Sequence, residues 1–269
     1  MTKIVDLFAL RPKKGKIGLE LEVETGRRFP ERGFDEWALV GDGSLRGGGE
    51  FVLKKPLDKD AAFSALDNLH QCLEAAGTTL HDSDRTSTHV HINVQKLNLT
   101  QLYNFMVVYL LLEDLLVKYC GPSREGNLFC LRSSDADYLI RFLADVASTG
   151  NHSAFGTNQV RYASMNVCSI PKFGSLEFRA MRGMVTDPAF IKDWVNILLR
   201  LEEKALQYRD PKDILMNLSM DGGERFAQNI LGEYYEQVEC LNMEEILRNS
   251  MRSVQEIAYA REDWDFRKK

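Results

Sequence analysis

Lys16-Ile17-Gly18-Leu19-Glu20-Leu21-Glu22-Val23-Glu24 alternates without a break. Ile17, Leu19, Leu21 and Val23 fall on one side; Gly18, Glu20, Glu22 and Glu24 fall on the other. A period of two marks a strand with one face on a core and one polar face. The same period returns over Thr88 to Val94, Arg161 to Val167 and Ser175 to Met181, and short strands fit Trp37 to Val40 and Glu50 to Leu53.

Helical spacing separates and follows these strands. Lys59 to Ala76 has Asp58 as its cap, an apolar stripe of Ala62, Phe63, Leu66, Leu69 and Leu73, and Gly77 as its stop. Thr100 to Tyr119 and Asp135 to Ala147 read as two more helices. After Asp187-Pro188 the chain turns helical to its end, because a capping residue followed by proline opens a helix; Asp210-Pro211 repeats the device. Strands thus gather before residue 182 and helices after it. That distribution predicts an α+β fold, an antiparallel sheet covered by helices. Because some helices fall between strands, α/β is the alternative.

Composition narrows the class. A chain of 269 residues can bury a substantial core, and it shows no repeat, low-complexity tract or Pro/Ser-rich linker. Gly41, Gly43, Gly47, Gly48 and Gly49 mark a loop, not a boundary. One domain over 1–269 is expected, with core motifs over 16–200, a helical segment over 205–260 and a charged, disordered tail over 261–269. The net charge of −5 lacks the basic face of a phosphate-backbone binder, so no nucleic-acid partner is expected. Cys72, Cys120, Cys130, Cys168 and Cys240 are scattered and without CxxC spacing, which fits free thiols in a reducing cytoplasm. The start of the chain lacks the pattern of a secretory signal. Phe105 to Leu112 is too short to span a bilayer and is closed by Glu113 and Asp114, so a buried helix and no membrane partner are expected. The sequon Asn98-Leu99-Thr100 then has no glycosylation to direct.

The polar faces carry the chemistry. Alternate residues on a strand share a face at about 6–7 Å spacing. Glu20 and Glu22 therefore point together, as do His89, His91 and Asn93, and Ser175, Glu177 and Arg179. Between them, Asp42-Gly43-Ser44 leads into Gly49-Glu50-Phe51. Each piece alone has an ordinary reading: a solvated acidic face, a polar strand, a turn, an amphipathic strand. Together they put Glu20, Glu22, Asp42, Glu50 and Glu177 in one cavity. Carboxylates so crowded stay ionised only beside cations. Oxygen ligands with an imidazole suit Mg²⁺ or Mn²⁺. Mg²⁺ takes one or two carboxylates and completes its shell with water and phosphate, so this number suggests more than one ion bridged by a polyphosphate. Arg179 brings a planar fork suited to a phosphate. Residue chemistry alone thus yields a phosphoryl-transfer site and leaves the acceptor open.

Several segments, in order, resemble a known family. Gly18-Leu19-Glu20-Leu21-Glu22 is similar to the GxExE strand of carboxylate–amine ligases related to glutamine synthetase and γ-glutamylcysteine ligase. Asp42-Gly43-Ser44, Gly49-Glu50-Phe51 and Pro56-Leu57 resemble the acidic loop and strand that follow. His89-Val90-His91-Ile92 resembles the HVH strand, and Arg161-Tyr162, Asn166 and Leu176-Glu177-Phe178-Arg179 resemble the RY…N and LEFR elements. The nearest resemblance is to the amidoligase group of bacteria, fungi and bacteriophages. It implies a curved antiparallel sheet of about six strands whose concave face forms the active site, with helices outside. It implies Mg²⁺ on Glu20, Glu22, Glu50, His91 and Glu177, with Asp42 close by as ligand or support. It implies Arg179 at the γ-phosphate of ATP, so that Arg179, Glu177, Asp42 and Glu50 serve catalysis. Tyr162 and Asn166 share a face and either contact the nucleotide or substrate or simply build a strand. The implied reaction converts a small-molecule or peptide carboxylate into an acyl phosphate, which an amine attacks to give an amide.

Some positions depart from the pattern. Thr86-Ser87-Thr88 stands where relatives often carry Cys-Gly. Lys54 and Lys55 replace the usual Ser or Thr before the proline, and either are solvated or meet an anionic substrate. Glu24 extends the acidic face as a supporting or surface group, and His89 is either a second ligand or, as the resemblance implies, structural support. No GxxxxGK[ST] occurs, and Arg46 stands where a dinucleotide fingerprint needs its third glycine. The rival readings are a metal-dependent phosphoester hydrolase using the same carboxylates, and an inactive metal- or nucleotide-binding module, one variant holding a structural Ca²⁺.

Overall fold

In the computed structural model, Ile17 to Thr25 is extended as its alternation requires and forms β1 (Ile17–Thr25), near the centre of the sheet. The structure describes residues 1–25, 29–30, 33–136, 138–157, 160–238 and 240–264. The other long strands are β2 (Trp37–Val40), β3 (Gly48–Leu53), β5 (Ser87–Asn93) and β7 (Ser175–Arg182); β4 (Leu80–His81) and β6 (Met165–Asn166) are two-residue pieces. The order is β2-β3-β1-β5-β7-β6, every pairing is antiparallel, and β4 pairs with the end of β1. The fold is the expected α+β, with a curved antiparallel sheet of seven strands; β4 is the addition to the expected six.

The apolar residues of β1 decide which face is covered. Ile17, Leu19, Leu21 and Val23 are at most 1% exposed. A slip of one residue would turn four glutamate or glycine positions into the core, so this pattern locks the register. Helix α3 (Leu99–Tyr119) lies against that face; Phe105 and Tyr109 meet Phe178 of β7 at ring-centroid distances of 5.5 and 4.8 Å. Its sides are enclosed by α6 (Pro188–Ala205), α7 (Pro211–Asp221) and α10 (Met243–Ala258). A helix that is apolar all round must be buried, and 89% of the most apolar stretch of α3 is. Asn98 is its cap: the side chain accepts the Gln101 N–H at 2.9 Å, and Gln101 reaches back to the Asn98 N–H at 3.0 Å.

The remaining helices are α1 (Ile4–Leu7), α2 (Lys59–Ala75), α4 (Leu139–Thr149), α5 (Ile170–Phe173), α8 (Gly223–Leu231) and α9 (Tyr235–Val238). Asp187 and Asp210 cap α6 and α7 as their Asp-Pro pairs predict. Asp58 stands at the cap position of α2 without a side-chain capping bond.

Three expectations need correction. The strand expected over Arg161 to Val167 shrinks to β6, because Leu131 takes the neighbouring backbone groups: its N–H donates to Tyr162 O at 2.8 Å and its carbonyl accepts from the Ser164 N–H at 2.8 Å. The helix expected from Asp135 begins only at Leu139, after a turn in which Arg132 bonds Asp135 at 3.0 Å and Asp114 at 3.2 Å. The tail expected to be free from Arg261 is anchored through Trp264, whose indole N–H donates to Ala258 O at 2.8 Å and whose ring lies 4.9 Å from Tyr103. The rest of that tail, 265–269, lies outside the described residues.

Candidate active site

Five strands supply the polar side chains, and the register aligns them. Glu20 stands opposite His89, and Gly18 opposite His91. Glu22 stands opposite Glu50. His91 stands opposite Glu177, and Glu177 opposite Asn166. The result is a band of carboxylates and imidazoles across β3, β1, β5, β7 and β6. Gly18 makes room in it: a Cβ there would lie 3.2 Å from the Cβ of His91.

A bulge shapes the β7 side. Between Thr88 and Val90 only His89 faces two residues of β7, Arg179 and Ala180. An extra residue in one strand re-aims the side chains around it. Buried Arg124 secures the irregularity, donating from Nε to Ala180 O at 3.1 Å and from Nη2 to Arg179 O at 2.9 Å. The Arg179 N–H goes to Ser164 O at 2.7 Å.

The side chains interlock. His91 Nε2 lies 3.1 Å from Glu20 Oε1, and its Nδ1 lies 3.1 Å from Ser175 Oγ. His89 Nδ1 lies 3.2 Å from Glu20 Oε2 and 3.8 Å from Glu177 Oε1. Its Nε2 meets Ser87 Oγ at 2.7 Å, and Ser87 donates to Glu22 Oε2 at 2.5 Å. Arg179 Nη1 donates to Glu177 Oε1 at 2.5 Å, and Asn166 Nδ2 donates to Glu177 Oε2 at 2.7 Å. At the lip, Asp42 accepts the Ser44 N–H at 2.7 Å, and Glu24 accepts the Arg46 N–H at 2.7 Å.

The electrostatics divide the carboxylates in two groups. Burial alone would raise Glu20, but hydrogen bonds from His89 and His91 and their charges outweigh it and hold Glu20 well below the usual range. Burial likewise opposes ionisation of Glu177, and His91, His89 and Arg179 bring it below its ordinary value. His91 is raised: burial works against its charge, and Glu20 and Glu177 more than compensate. Asp42 is lowered chiefly by its bonds from Ser44. Glu50 goes the other way. Burial, then the charges of Glu20, Glu22 and Asp42, push it up to about 8. A proton on Glu50 does what a cation would do, because it relieves like charges held together.

The donor set fits hard divalent ions. Ligand atoms of Glu20, His91 and Glu177 lie within 4.8 Å of one another, and so do those of Glu20, Glu50 and His89. Glu20 belongs to both groups. Glu22 stands beside them, committed to Ser87. His89, which the motif reading makes a support, lies at the centre of the band. Asn166 is inside it, whereas Tyr162 is 47% exposed at its edge, its ring 6.0 Å from that of Phe129, whose carbonyl accepts from Arg179 Nε at 3.2 Å. The two therefore do not share a strand face. Ser87 and Arg124 are additions to the residues expected from motifs. Spacing of two before His89 could have revealed Ser87; Arg124, in a turn after α3, carries no such signal.

A family described as "Putative amidoligase enzyme" matches residues 53–209. His89, His91, Asn166, Glu177 and Arg179 fall inside that span, and Glu20, Glu22, Asp42 and Glu50 precede it. Among solved structures the chain is similar to one titled "Crystal structure of novel glutamine synthase homolog", at 12% identity over 88% of this chain and 70% of that one, with a TM-score of 0.42. Among curated proteins nothing matches.

Proposed function

This chain belongs to the amidoligase family, and from that premise we propose that it is an ATP-dependent ligase joining a carboxylate to an amine through an acyl phosphate. The observation that carries the proposal is the sharing of Glu20 between two ligand-grade groups beside the Arg179 guanidinium. Mg²⁺, or Mn²⁺ in its place, would be held by Glu20, Glu22, Glu50, His91 and Glu177, and would neutralise charge on the phosphoryl group in transfer.

The chain's own residues account for the rest. A carboxylate is a poor electrophile, and phosphorylation supplies a leaving group. A substrate carboxylate oxygen attacks the γ-phosphorus and ADP departs with the bonding pair; the amine nitrogen then attacks the acyl carbon, phosphate leaves with the bonding pair, and the nitrogen gives up one proton to the departing phosphate or to water. Arg179, paired with Glu177 at 2.5 Å, would turn its fork to the γ-phosphate and meet the charge that develops there. Glu177 holds that fork in place until then. Asn166 and Tyr162 border the same end and would contact the nucleotide. Asp42, half-buried and kept ionised by Ser44, offers an anionic lip to the incoming amine. The proposal treats 1–269 as one catalytic domain. It places the chain in the cytoplasm, where its five cysteines would stay reduced.

The test is ADP release from Mg²⁺ and ATP with pooled carboxylates and amines. Turnover is expected only when both pools are present. Phosphate release from a phosphate ester without ATP would replace the ligase with a hydrolase. Binding without turnover would leave a nucleotide-binding module, visible as a Mg²⁺-dependent rise in melting temperature with a non-hydrolysable ATP analogue. At 100 times its Kd such an analogue stabilises by about 2.7 kcal/mol.

A further inference from the structure

Next to the carboxylate band lies a cavity of about 280 Å³, at the small end of ligand pockets. Glu20 and His91 line it, so it borders the candidate active site. Lys13, Lys54 and Lys55 line it as well, beside the apolar Val52, Pro56 and Phe173. The placement of Lys13 is built in. Lys13 is half-buried, and its backbone is tied on both sides: its N–H donates to Gln95 Oε1 at 2.8 Å, and its carbonyl accepts from Asn93 Nδ2 at 3.3 Å. Its ammonium stands 5.2 Å from the centre of the Phe173 ring. Among the described residues no carboxylate lies within ion-pair distance of it. Burial lowers its pKa, as befits a cation with little to offset its lost hydration. Lys54 is bonded to Asp35 O at 2.7 Å, while Lys55 is exposed at the lip.

A half-buried cation without an anionic partner, facing a cavity, is a place prepared for an anion. The lysines would repel an amine, so the cavity suits the carboxylate substrate and not its co-substrate. They would equally repel the ammonium group of a free α-amino acid zwitterion. We propose that this cavity binds the carboxylate substrate of the ligase reaction, and that this substrate is a short acid with a second anionic group, no ammonium beside it, held by Lys13. The reacting carboxylate would lie toward Glu20 and His91, and the spacer along Phe173 and Pro56. The assignment rests on the ligase reading for which carboxylate reacts, but the binding itself can be measured apart from it.

The experiment is equilibrium binding by calorimetry with Mg²⁺ and without ATP. The probes are glutarate, adipate and pimelate, the monoacids of equal chain length (pentanoate, hexanoate and heptanoate), and glutamate and 2-aminoadipate. At least one diacid is expected to bind about tenfold tighter than its monoacid, the gain of one charge-assisted hydrogen bond, and tighter than its 2-amino counterpart. Lys13→Met keeps the apolar stem over Phe173 and is expected to erase the preference, while Lys13→Arg retains it. Equal affinity of diacid and monoacid, tighter binding of the amino acids, a preference that survives Lys13→Met, or no binding of any acid would overturn the proposal. Diacid binding without ATP turnover would instead count against the ligase reading alone.

Discussion

Glu177 and Glu113 are both buried, at 7% and 2% exposure, and sit on opposite faces of the same sheet. Glu177 faces the open concave side. Arg179 and Asn166 bond it, His89 lies 3.8 Å away, and its pKa is lowered despite burial. Glu113 sits on α3 under the convex side, among Phe178, Tyr109 and the helices. Its partners are the Ser133 N–H at 2.7 Å and the hydroxyls of Ser133 and Ser164. Burial dominates these neutral donors, and its pKa is pushed up to about 7. Two buried carboxylates thus differ in what surrounds them. Cations hold one ionised; dipoles tolerate the other. One face is organised to keep charge for use, and the other hides a carboxyl group that mainly ties a loop to a helix.

The contrast breaks most visibly in catalysis. Glu177→Ala or Arg179→Ala is expected to reduce ATP turnover by about a thousandfold or more, since losing a charge stabiliser of phosphoryl transfer has effects of that order. For Glu177→Ala the melting temperature should barely move, because removing one carboxylate from a crowded acidic cleft also removes repulsion; Arg179→Ala removes a cation instead, so it should stay folded with a lower melting temperature than Glu177→Ala. Kinetics and a thermal melt on each variant check this. A fully active Arg179→Ala would sink its assignment to the γ-phosphate, and unfolding of either variant would give Glu177 and Arg179 a structural role instead.

Arg124 lies between the two faces and sharpens the comparison. It touches no concave-face carboxylate, yet its two bonds hold the carbonyls of Arg179 and Ala180 where β7 bulges. Arg124→Met would leave both carbonyls buried without those donors. A charged hydrogen bond contributes about 1.5–3 kcal/mol, so a loss of about 3–6 kcal/mol in denaturant unfolding is expected for the two. If Arg124 merely fills space, the isosteric stem of Met would keep stability, and that result would remove the bulge from the account of how Arg179 is aimed.

The concave face was legible because strands write their faces into every second residue. The alternation of Ile17 to Glu24 gave the core side and the acidic side at once, and His89, His91, Glu177 and Arg179 followed by the same rule. What distant contacts decide was not legible. Arg161 to Ala163 alternate like a strand, but Leu131 captures their backbone, and Tyr162 turns out to the edge. Arg124 and Lys13 lie in a turn and a coil, where no period announces a partner. The importance of His89 was understated because a motif ranks residues by position in a pattern. Its place among Glu20, Glu22 and Glu177 depends on three strands meeting.

The convex carboxylate gives the smallest effect, read as a pH dependence. Glu113 has a folded pKa near 7 against an ordinary value of 4.5. Below pH 4.5 it is protonated in both states and adds no slope. Between pH 4.5 and 7 the unfolded chain releases this proton first, so the folded state binds more protons and its stability falls as pH rises. Above pH 7 both states are ionised and the cost is complete, about 3 kcal/mol at roughly 1.4 kcal/mol per unit. Glu113→Gln cannot ionise, and its carbonyl can still accept from Ser133 and Ser164. Urea unfolding of wild type and variant across this range should therefore give two curves that separate progressively toward high pH, the variant gaining relative to wild type, while turnover changes little. Parallel curves would mean that Glu113 keeps its charge in the core as Glu177 does in the cleft. Neutral hydroxyls would then be as effective as cations in holding a buried carboxylate ionised, and the division between the two faces would fail.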